Sequence, residues 1–451
     1  MSIIQPRTLK GFRDYLPATM AAREGVIDVA RRVYRSFGFV PIETPALEYS
    51  EILFGKGGDE TDQQMYRFED QGGRDVALRF DLTVPLARFA AQRVGILGTP
   101  FKRYQVGPVW RGENTQRGRY REFVQFDFDT IGTESLVADI ETLVVVHDLF
   151  ATLGLSEFTI HFNNRDILNG LLERHGVTDE ATTILRLLDK LPKIGAAGVR
   201  KELLASTEAS VDQVDEILAL ADLAGSNDDV VGALPAMAGD CPTAIAGINA
   251  VEEVLAGVRA AGVPEKRIKV DPSIARGLAY YTGTVFETFL GDLPDIGSVC
   301  SGGRYDDLAS LYTKQKLPGI GGSLGVDRLM AAMEELDLVE DRGATAAVFV
   351  PLFVGERSRD YIALAEMLRS GGMTVELYPE ARKLGAQMKY ADRRGHRLAV
   401  IVGETEWAAE TAQIKVLDTG ESHEVGRGEL VERCLALLGT NAGEGTNLPP
   451  L

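Results

Sequence analysis

The chain has 451 residues, too many for one compact hydrophobic core, so we expect two or three domains. Its 45% hydrophobic and 25% charged residues are ordinary for a globular protein and exclude collagen-like, purely coiled-coil and wholly disordered chains. The 48 basic and 66 acidic residues give a net charge of −18, which excludes a protein that coats DNA through bulk electrostatics.

Cysteine usage and hydropathy limit the class of protein further. Cys241, Cys300 and Cys434 are widely separated and offer neither a disulfide framework nor a zinc-ligand cluster. The N-terminus has no apolar run typical of a signal peptide, and no window approaches the roughly 20 apolar residues that a membrane helix requires. We therefore expect a cytoplasmic protein with no membrane partner and no structural metal.

Basic residues concentrate in two short stretches of this acidic chain. Residues 101–122 and 380–397 each hold six basic against two acidic residues, whereas residues 173–260 hold seven basic against 15 acidic residues. The basic stretches indicate either local anion sites or two solvated faces, and charge alone does not decide between them.

The N-terminal third predicts a helix followed by strands. Apolar residues at helical spacing predict an amphipathic helix over residues 18–37, and the prolines of residues 39–45 impose an extended backbone. Strands are predicted over residues 76–82, 101–112 and 120–131.

The predicted strand 120–131 has an apolar face and a polar face, because side chains alternate along a strand. Val124, Phe126 and Phe128 point to the apolar face. The polar face carries Arg119, Arg121, Gln125, Asp127 and Asp129. Arginines at one end and carboxylates at the other suit a ligand with an anionic end and a cationic or hydrogen-bond-donating end. The alternative is the solvated face of an antiparallel sheet.

The rest of the chain predicts an insertion and a second domain. Residues 166–260 predict a helical insertion with loops near 223–230 and 238–244, and a polar linker is expected at 337–346. Before the linker we expect strands at 267–271 and 280–290 and, after four glycines in 319–325, a helix over 326–336. After it, strands at 347–354, 374–378, 397–403 and 413–418 alternate with helices at 357–370, 384–394 and 427–438, and 439–451 is predicted to be disordered. This alternation predicts a small α/β domain with a partly parallel sheet.

Single motifs leave several chemistries open. No G-x-x-x-x-G-K-[ST] phosphate loop occurs, and the five histidines lack metal-site spacing. Residues 321–325 match the G-x-S-x-G nucleophile elbow, so a hydrolase triad of Ser323 with His396 or His423 is one alternative. The other candidates are four arginines, which suit phosphate binding or form surface ion pairs. They are Arg111, Arg119, Arg276 and Arg328.

Several segments together resemble the class II aminoacyl-tRNA synthetases. Residues 38–48, with Pro45, are similar to motif 1, residues 101–132 to motif 2, and residues 319–329, with Arg328, to motif 3. RGLAYYTGTVFE (276–287) and SGGRYDDL (301–308) resemble the two signatures of the histidyl-tRNA synthetase family. Further similar segments are 78–88, 189–195 and 387–395.

The resemblance implies an α+β fold and a reaction. Residues 1–336 would form an antiparallel sheet of six or seven strands with flanking helices and the helical insertion, and residues 345–438 an α/β anticodon-binding domain. It implies a homodimer formed through motif 1. It also implies a ligase that activates L-histidine with ATP and Mg²⁺ as histidyl-adenylate and passes the histidyl group to tRNA(His).

The resemblance also implies a role for individual residues. Those that would bind histidine are Asp81, Leu82, Thr83, Arg111, Gln125, Asp129, Arg276, Tyr280, Tyr281 and Tyr305. Those that would bind ATP are Arg111, Glu113, Arg119 and Arg328, and the catalytic arginines would be Arg111, Arg276 and Arg328. Those that would contact tRNA are Arg382, Lys383, Lys389 and Arg393.

One position departs from the family pattern, which has aspartate where this chain has Ala279. The absence of that aspartate would loosen the orientation of Arg276 and lower the rate of catalysis. The alternative from another class is a non-catalytic, histidine-sensing regulatory subunit of ATP phosphoribosyltransferase. Such subunits lose catalytic arginines and lack the C-terminal domain, whereas both are present here.

Overall fold

The computed structural model describes residues 3–54, 59–188, 190–274, 280–339 and 346–439. The chain forms two compact units, one of residues 1–14 and 23–339 and one of residues 15–22 and 340–451. No helix in the described ranges is long and apolar enough to cross a membrane. The predictions for residues 340–345 of the linker and for the tail after Gly439 fall outside the described residues.

The first unit is built on a large mixed sheet. Its described strands are β1 (Val40–Pro41), β2 (Leu47–Tyr49), β3 (Arg67–Glu69), β4 (Asp75–Leu78), β5 (Phe101–Trp110), β6 (Glu122–Ile131), β7 (Phe158–Asn164), β8 (Ile268–Val270), β9 (Thr284–Leu290), β10 (Cys300–Tyr305) and β11 (Gly319–Gly325). Eight strands lie in the order β1-β5-β6-β11-β10-β9-β7-β8, and the others form a small sheet, β2-β4-β3. The central strands pair antiparallel, as expected, but the edge pairs β1–β5 and β7–β8 are parallel. The predicted antiparallel sheet is therefore confirmed, and short parallel pairs at its two edges make the whole sheet mixed.

Helices flank this sheet and form the insertion. They are α1 (Pro17–Ser36), which belongs to this unit from Arg23 onward, α2 (Ser50–Leu53), α3 (Asp59–Gln64), α4 (Thr83–Leu97), α5 (Leu136–Thr152), α6 (Arg165–His175), α7 (Ala181–Leu188), α8 (Leu191–Ser206), α9 (Val211–Ala221), α10 (Asn227–Ala238), α11 (Pro242–Ala260) and α12 (Val326–Glu335). Helices α6 to α11 confirm the predicted helical insertion. A capping box between Ser226 and Asp229 starts α10 at Asn227, so the loop predicted at 223–230 is shorter than expected.

Aromatic packing joins α1 to the apolar face of β6. The ring of Tyr34 lies 4.9 Å from that of Phe126 and 4.7 Å from that of Phe128, measured between centroids. All three side chains are buried. The predicted apolar face of β6 is thus confirmed, and its polar face must point to the other side of the sheet.

The second unit has a five-stranded sheet with flanking helices. Its described elements are β12 (Val348–Val350), α13 (Ser358–Ser370), β13 (Val375–Leu377), α14 (Leu384–Arg394), β14 (Leu398–Ile401), α15 (Glu404–Ala409), β15 (Thr411–Val416), β16 (Ser422–Gly426) and α16 (Leu430–Leu438). The strand order is β13-β12-β14-β15-β16. Strand β12 pairs parallel with β13 and β14, whereas β15 pairs antiparallel with β14 and β16. The partly parallel sheet is confirmed, whereas α15 and the polar strand β16 were not predicted.

Candidate active site

The polar side of β6 is buried, so it is not a solvated sheet face. Gln125, Asp127 and Asp129 are 7%, 2% and 2% exposed. Strand β5 places Arg103 opposite Asp129, and strand β11 places Ser323 opposite Asp127. Burying carboxylates is costly unless they are paired, so the partners of these groups define the chemistry of the face.

Asp129 is held at both of its oxygens. Nη2 of Arg103 lies 2.6 Å from Oδ2, and the hydroxyl of Tyr305 donates to Oδ1 at 2.5 Å. Burial raises the pKa of Asp129, while the charge of Arg103 and the hydrogen bond from Tyr305 lower it. Arg103 also donates to the carbonyl of Leu82 at 3.4 Å, which links this ion pair to the residue before α4.

The glycines of β11 make room for this arrangement. A Cβ at Gly321 would lie 2.1 Å from Oδ1 of Asp129, and a Cβ at Gly319 would lie 2.4 Å from the ring of Tyr305. Ser323 lies inside the strand and accepts a hydrogen bond of 2.8 Å from Nε2 of Gln125. A nucleophile elbow requires a turn between strand and helix, so the hydrolase interpretation of this motif was wrong.

Asp81 organises the N-terminus of α4. Its Oδ1 accepts from the backbone N–H groups of Thr83 at 3.1 Å and Val84 at 2.9 Å, and its Oδ2 accepts from the Tyr280 hydroxyl at 3.1 Å. Burial raises the pKa of Asp81, while the hydrogen bond from the Val84 N–H and the charge of the nearby Arg111 lower it in part. The predicted strand 76–82 ends at Leu78 because the chain turns here into the helix.

Three tyrosines stand beside these carboxylates. The ring of Tyr280 lies 5.2 Å from that of Tyr281 and 6.1 Å from that of Tyr305. Burial raises the pKa of all three phenols, so each remains a neutral hydroxyl that can donate a hydrogen bond. A small cavity opens next to them, lined by Leu53, Thr61, Met65, Phe80, Asp81, Val84 and Tyr280.

Arg111 follows the end of β5 at the other end of the polar face. Its Nε donates to the carbonyl of Phe80 at 3.2 Å, and its guanidinium lies 4.3 Å from the centre of the Phe80 ring and 5.1 Å from that of Phe123. These rings fix its orientation by cation–π contact. Arg111 also interacts electrostatically with Asp81 and Glu113.

The loop between β5 and β6 brings further predicted residues close to α12. Arg119 pairs with Glu113 at 3.7 Å, and Gly118 packs so closely on Arg328 that a Cβ would lie 3.3 Å from its Cα. Arg328 donates to the Ser298 carbonyl at 2.6 Å. Predicted ATP ligands thus lie on neighbouring elements, while Arg276 and Ala279 fall outside the described residues.

The basic stretch 101–122 is not one anion-binding surface. Lys102, Arg103 and Arg117 each pair with an acid of another element, namely Glu141, Asp129 and Glu335. The sequence interpretation missed Arg103 and Ser323 as parts of the site. Only the register of β5 and β11 against β6 reveals them.

The second basic stretch is exposed. Lys389 and Arg393 lie on α14, and Arg382 and Lys383 immediately precede it. Arg382 forms an ion pair with Glu380 at 2.6 Å. Within the described ranges, no group of three or more His, Cys, Asp or Glu residues is arranged to hold a metal ion.

Comparison with known proteins assigns both units. Residues 11–329 match the family model described as histidyl-tRNA synthetase, and residues 348–437 match that of the anticodon binding domain. A histidine–tRNA ligase of Rhodopirellula baltica is 57% identical, covering 94% of this chain and 96% of its own, and one of Wolinella succinogenes is 44% identical over 93% and 96%. The crystal structure of a histidyl-tRNA synthetase from Nostoc sp. has a TM-score of 0.84 at 35% identity, covering 96% of this chain and 99% of that one.

Proposed function

The chain belongs to the histidyl-tRNA synthetase family, and from this premise we propose that the polar face of β6 is where it binds and activates L-histidine. The enzyme is a class II ligase that joins histidine to tRNA and uses ATP. The regulatory-subunit alternative is not favoured, because the curated relatives are ligases that match nearly the whole chain.

The Arg103–Asp129–Tyr305 arrangement carries the proposal for histidine. Asp129, ion-paired with Arg103, would accept a hydrogen bond from the imidazole together with Tyr281. Asp81, Leu82, Thr83 and Gln125 would lie around the α-amino group, with Tyr280 and Tyr305 completing the pocket. A site that pairs with imidazole nitrogens rejects apolar analogues strongly, because its buried polar groups would then be unpaired.

Arginines would supply the chemistry of activation. A histidine carboxylate oxygen attacks the α-phosphorus of ATP, the bond to the bridging oxygen breaks, and pyrophosphate leaves. Arg111 and Arg276 would stabilise the charge on the α-phosphate and the substrate carboxylate, and Arg328 would hold the far end of the triphosphate. Glu113 would face the adenine and Arg119 the phosphates, while Mg²⁺ would enter with ATP as part of that substrate.

The second step would transfer the histidyl group to a ribose hydroxyl of tRNA(His). Residues 1–336 would form the catalytic domain and residues 345–438 the domain that holds the anticodon stem. Phosphate contacts would come from Arg382, Lys383, Lys389 and Arg393, whose exposure supports this role. Since its substrate tRNA serves translation, we place the enzyme in the cytoplasm.

A homodimer would cover exposed apolar side chains of the first three strands. Val40, Leu47, Tyr49 and Phe68 are 46%, 40%, 50% and 47% exposed. Val40 and Leu47 lie within the segment that resembles motif 1, and Tyr49 directly follows it. Analytical ultracentrifugation should give twice the chain mass, and Leu47→Glu should shift that equilibrium to monomers.

Pyrophosphate exchange into ATP tests the function, with each amino acid offered singly to the purified protein. Exchange should depend on histidine alone, and Arg111→Ala should abolish it without changing the circular dichroism spectrum. Exchange with another amino acid would refute the histidine assignment. Tight histidine binding without exchange would instead favour a sensing protein.

A further inference from the structure

We infer that Asp127 is the counter-ion of the substrate's α-ammonium group, which it binds through its Oδ1 together with Oε1 of Gln125. This inference rests on the proposed function, since it takes the polar face of β6 as the histidine site. Asp127 would then be a specificity-determining residue that recognises the α-amino end of the amino acid.

The first support is a pair of buried acceptors that lack a donor. Among the described residues, neither Oδ1 of Asp127 nor Oε1 of Gln125 has a hydrogen-bond partner, although both atoms are buried. The two residues are two positions apart on β6 and therefore share one face of the sheet. Unpaired acceptors in such a place are costly, and a ligand that brings N–H donors would satisfy them.

The second support is that the other carboxylates of the face are already occupied. Asp129 is bound at one oxygen by Arg103 and at the other by Tyr305. Asp81 accepts two backbone N–H groups and the Tyr280 hydroxyl. Among the described residues, Oδ1 of Asp127 lacks a hydrogen-bond donor, and so does Oδ2 of Asp129, but the Asp129 oxygen is ion-paired with Arg103.

The hydrogen bond of Gln125 sets the direction of these groups. Nε2 of Gln125 donates to the Ser323 hydroxyl at 2.8 Å, so Oε1 is left as the free end of the amide. The Ser323 hydroxyl can then donate its own proton to Asp127, with which it interacts. Ser323 thereby fixes both acceptors.

A bound cation would stabilise the ionised form of Asp127. Arg103 attracts both Asp127 and Asp129, and the guanidinium groups of Arg79 and Arg111 also attract Asp127. Burial, acting with Asp129 and Asp81 and against Arg103 and Ser323, raises the pKa of Asp127 to about 7. Other titratable groups within electrostatic reach of Asp127 are Tyr34, Arg79, Arg111, Tyr280, Tyr281 and Cys300.

The position of Asp127 selects the α-ammonium group rather than the imidazole. Along β6 it lies between Asp129, next to which we place the imidazole, and the end near Arg111, where we place the carboxylate. In histidine the α-carbon with its ammonium group lies between those two ends. An ammonium group is a compact cation with three N–H donors and can satisfy both unpaired acceptors at once.

Isothermal titration calorimetry with two ligands tests this assignment. L-Histidine carries the α-ammonium group, and 3-(imidazol-4-yl)propionate lacks only that group. Asp127→Asn keeps the shape of the side chain but not its charge. It should weaken histidine binding about 10- to 100-fold and leave binding of the deamino analogue unchanged. The control is the same substitution at an exposed aspartate, Asp292→Asn, which should bind both ligands as the wild type does.

A second measurement on the wild type does not depend on any variant folding. Titrations at pH 7 in buffers of different ionisation enthalpy report the protons released on binding. With Asp127 titrating at about pH 7 in the empty site, and with the protons that each ligand's own imidazole releases subtracted, histidine should release about half a proton more than the deamino analogue does.

The outcomes separate this inference from the proposed function. Unchanged histidine affinity in Asp127→Asn, equal losses for both ligands, or equal proton release by both ligands would overturn the role of Asp127. Failure of the wild type to bind histidine would instead refute the proposed site.

Discussion

Removing Arg103 should destabilise the first unit strongly, because Asp129 would keep a buried charge without its counter-ion. The two groups approach to 2.6 Å, and their side chains are 0% and 3% exposed. With charge centres about 4 Å apart and an effective dielectric constant of about 20, their attraction is about 4 kcal/mol. Loss of one partner of a buried pair typically costs about 3–5 kcal/mol, so we expect Arg103→Met to lower the free energy of unfolding by that amount at pH 8.

Removing both charges should restore most of this loss. In Arg103→Met/Asp129→Asn the unpaired charge of Asp129 is gone and the Tyr305 hydroxyl still has an acceptor at position 129, so the loss that remains comes from Asp127, which Arg103 also attracts. The single variant should also depend on pH. Burial already raises the pKa of Asp129, and loss of Arg103 raises it further. The loss of stability in Arg103→Met is therefore absent below the pKa of about 4 that Asp129 has in the unfolded chain, and it grows as the pH rises through the pKa of Asp129 in the folded variant. The free energy of unfolding should therefore be lowered less at pH 5 than at pH 8.

Tryptophan fluorescence during urea unfolding can measure this in one unit. The chain has two tryptophans, Trp110 in β5 and Trp407 in α15 of the second unit. A Trp407→Phe background therefore leaves Trp110 to report on the strand that carries Arg103. A deficit below about 1 kcal/mol in the single variant, or an equal deficit in the double variant, would refute the argument that Arg103 neutralises Asp129.

Three further predictions concern the pocket and the tRNA surface. Gly321→Ala places a Cβ against Asp129 and should raise the KM for histidine at least tenfold in the exchange assay, whereas Gly95→Ala, with open space around its Cβ in α4, should leave the KM unchanged. Arg111→Lys should lower kcat/KM about 100-fold or more, because an ammonium group cannot reproduce a planar, two-pronged phosphate contact; retention of more than a tenth of the activity would contradict the role of Arg111. Lys389→Ala and Arg393→Ala should each reduce, by about one, the slope of the logarithm of the tRNA association constant against the logarithm of the salt concentration. Arg359→Ala, at an exposed position on α13, is the control. Unchanged slopes in the two α14 variants would show that α14 is not a phosphate-binding surface.

The alternation of β6 was the part of the site that physical reasoning predicted best from the sequence. Gln125, Asp127 and Asp129 lie on one buried face, because side chains alternate along a strand and Phe126 and Phe128 pack into the aromatic core on the opposite face. The resemblance to a known family supplied the identities of most other candidates. Their proximity in the first unit follows only from the fold.

Arg103 and Ser323 could not be predicted as parts of the site, for different reasons. Arg103 belongs to a basic stretch that suggests surface charge, and its burial depends on the register that sets β5 against β6. Ser323 occurs in a glycine-rich pattern that also occurs in hydrolases, and only its position inside β11 excludes that chemistry. Strand β16 was missed because its residues are polar and half exposed, which leaves no apolar signal.

The glycines of β11 that border the pocket affect how accurately a partly unfolded enzyme would select its amino acid. Gly319 and Gly321 contribute backbone alone, so no rotamer change there can enlarge or reshape the space beside Asp129 and Tyr305. The shape of the pocket is therefore created when β11 pairs with β6 and is lost when that pairing opens. A partly unfolded molecule should stop activating histidine rather than accept another amino acid, so heat or ageing should reduce the supply of charged tRNA without introducing wrong residues into proteins.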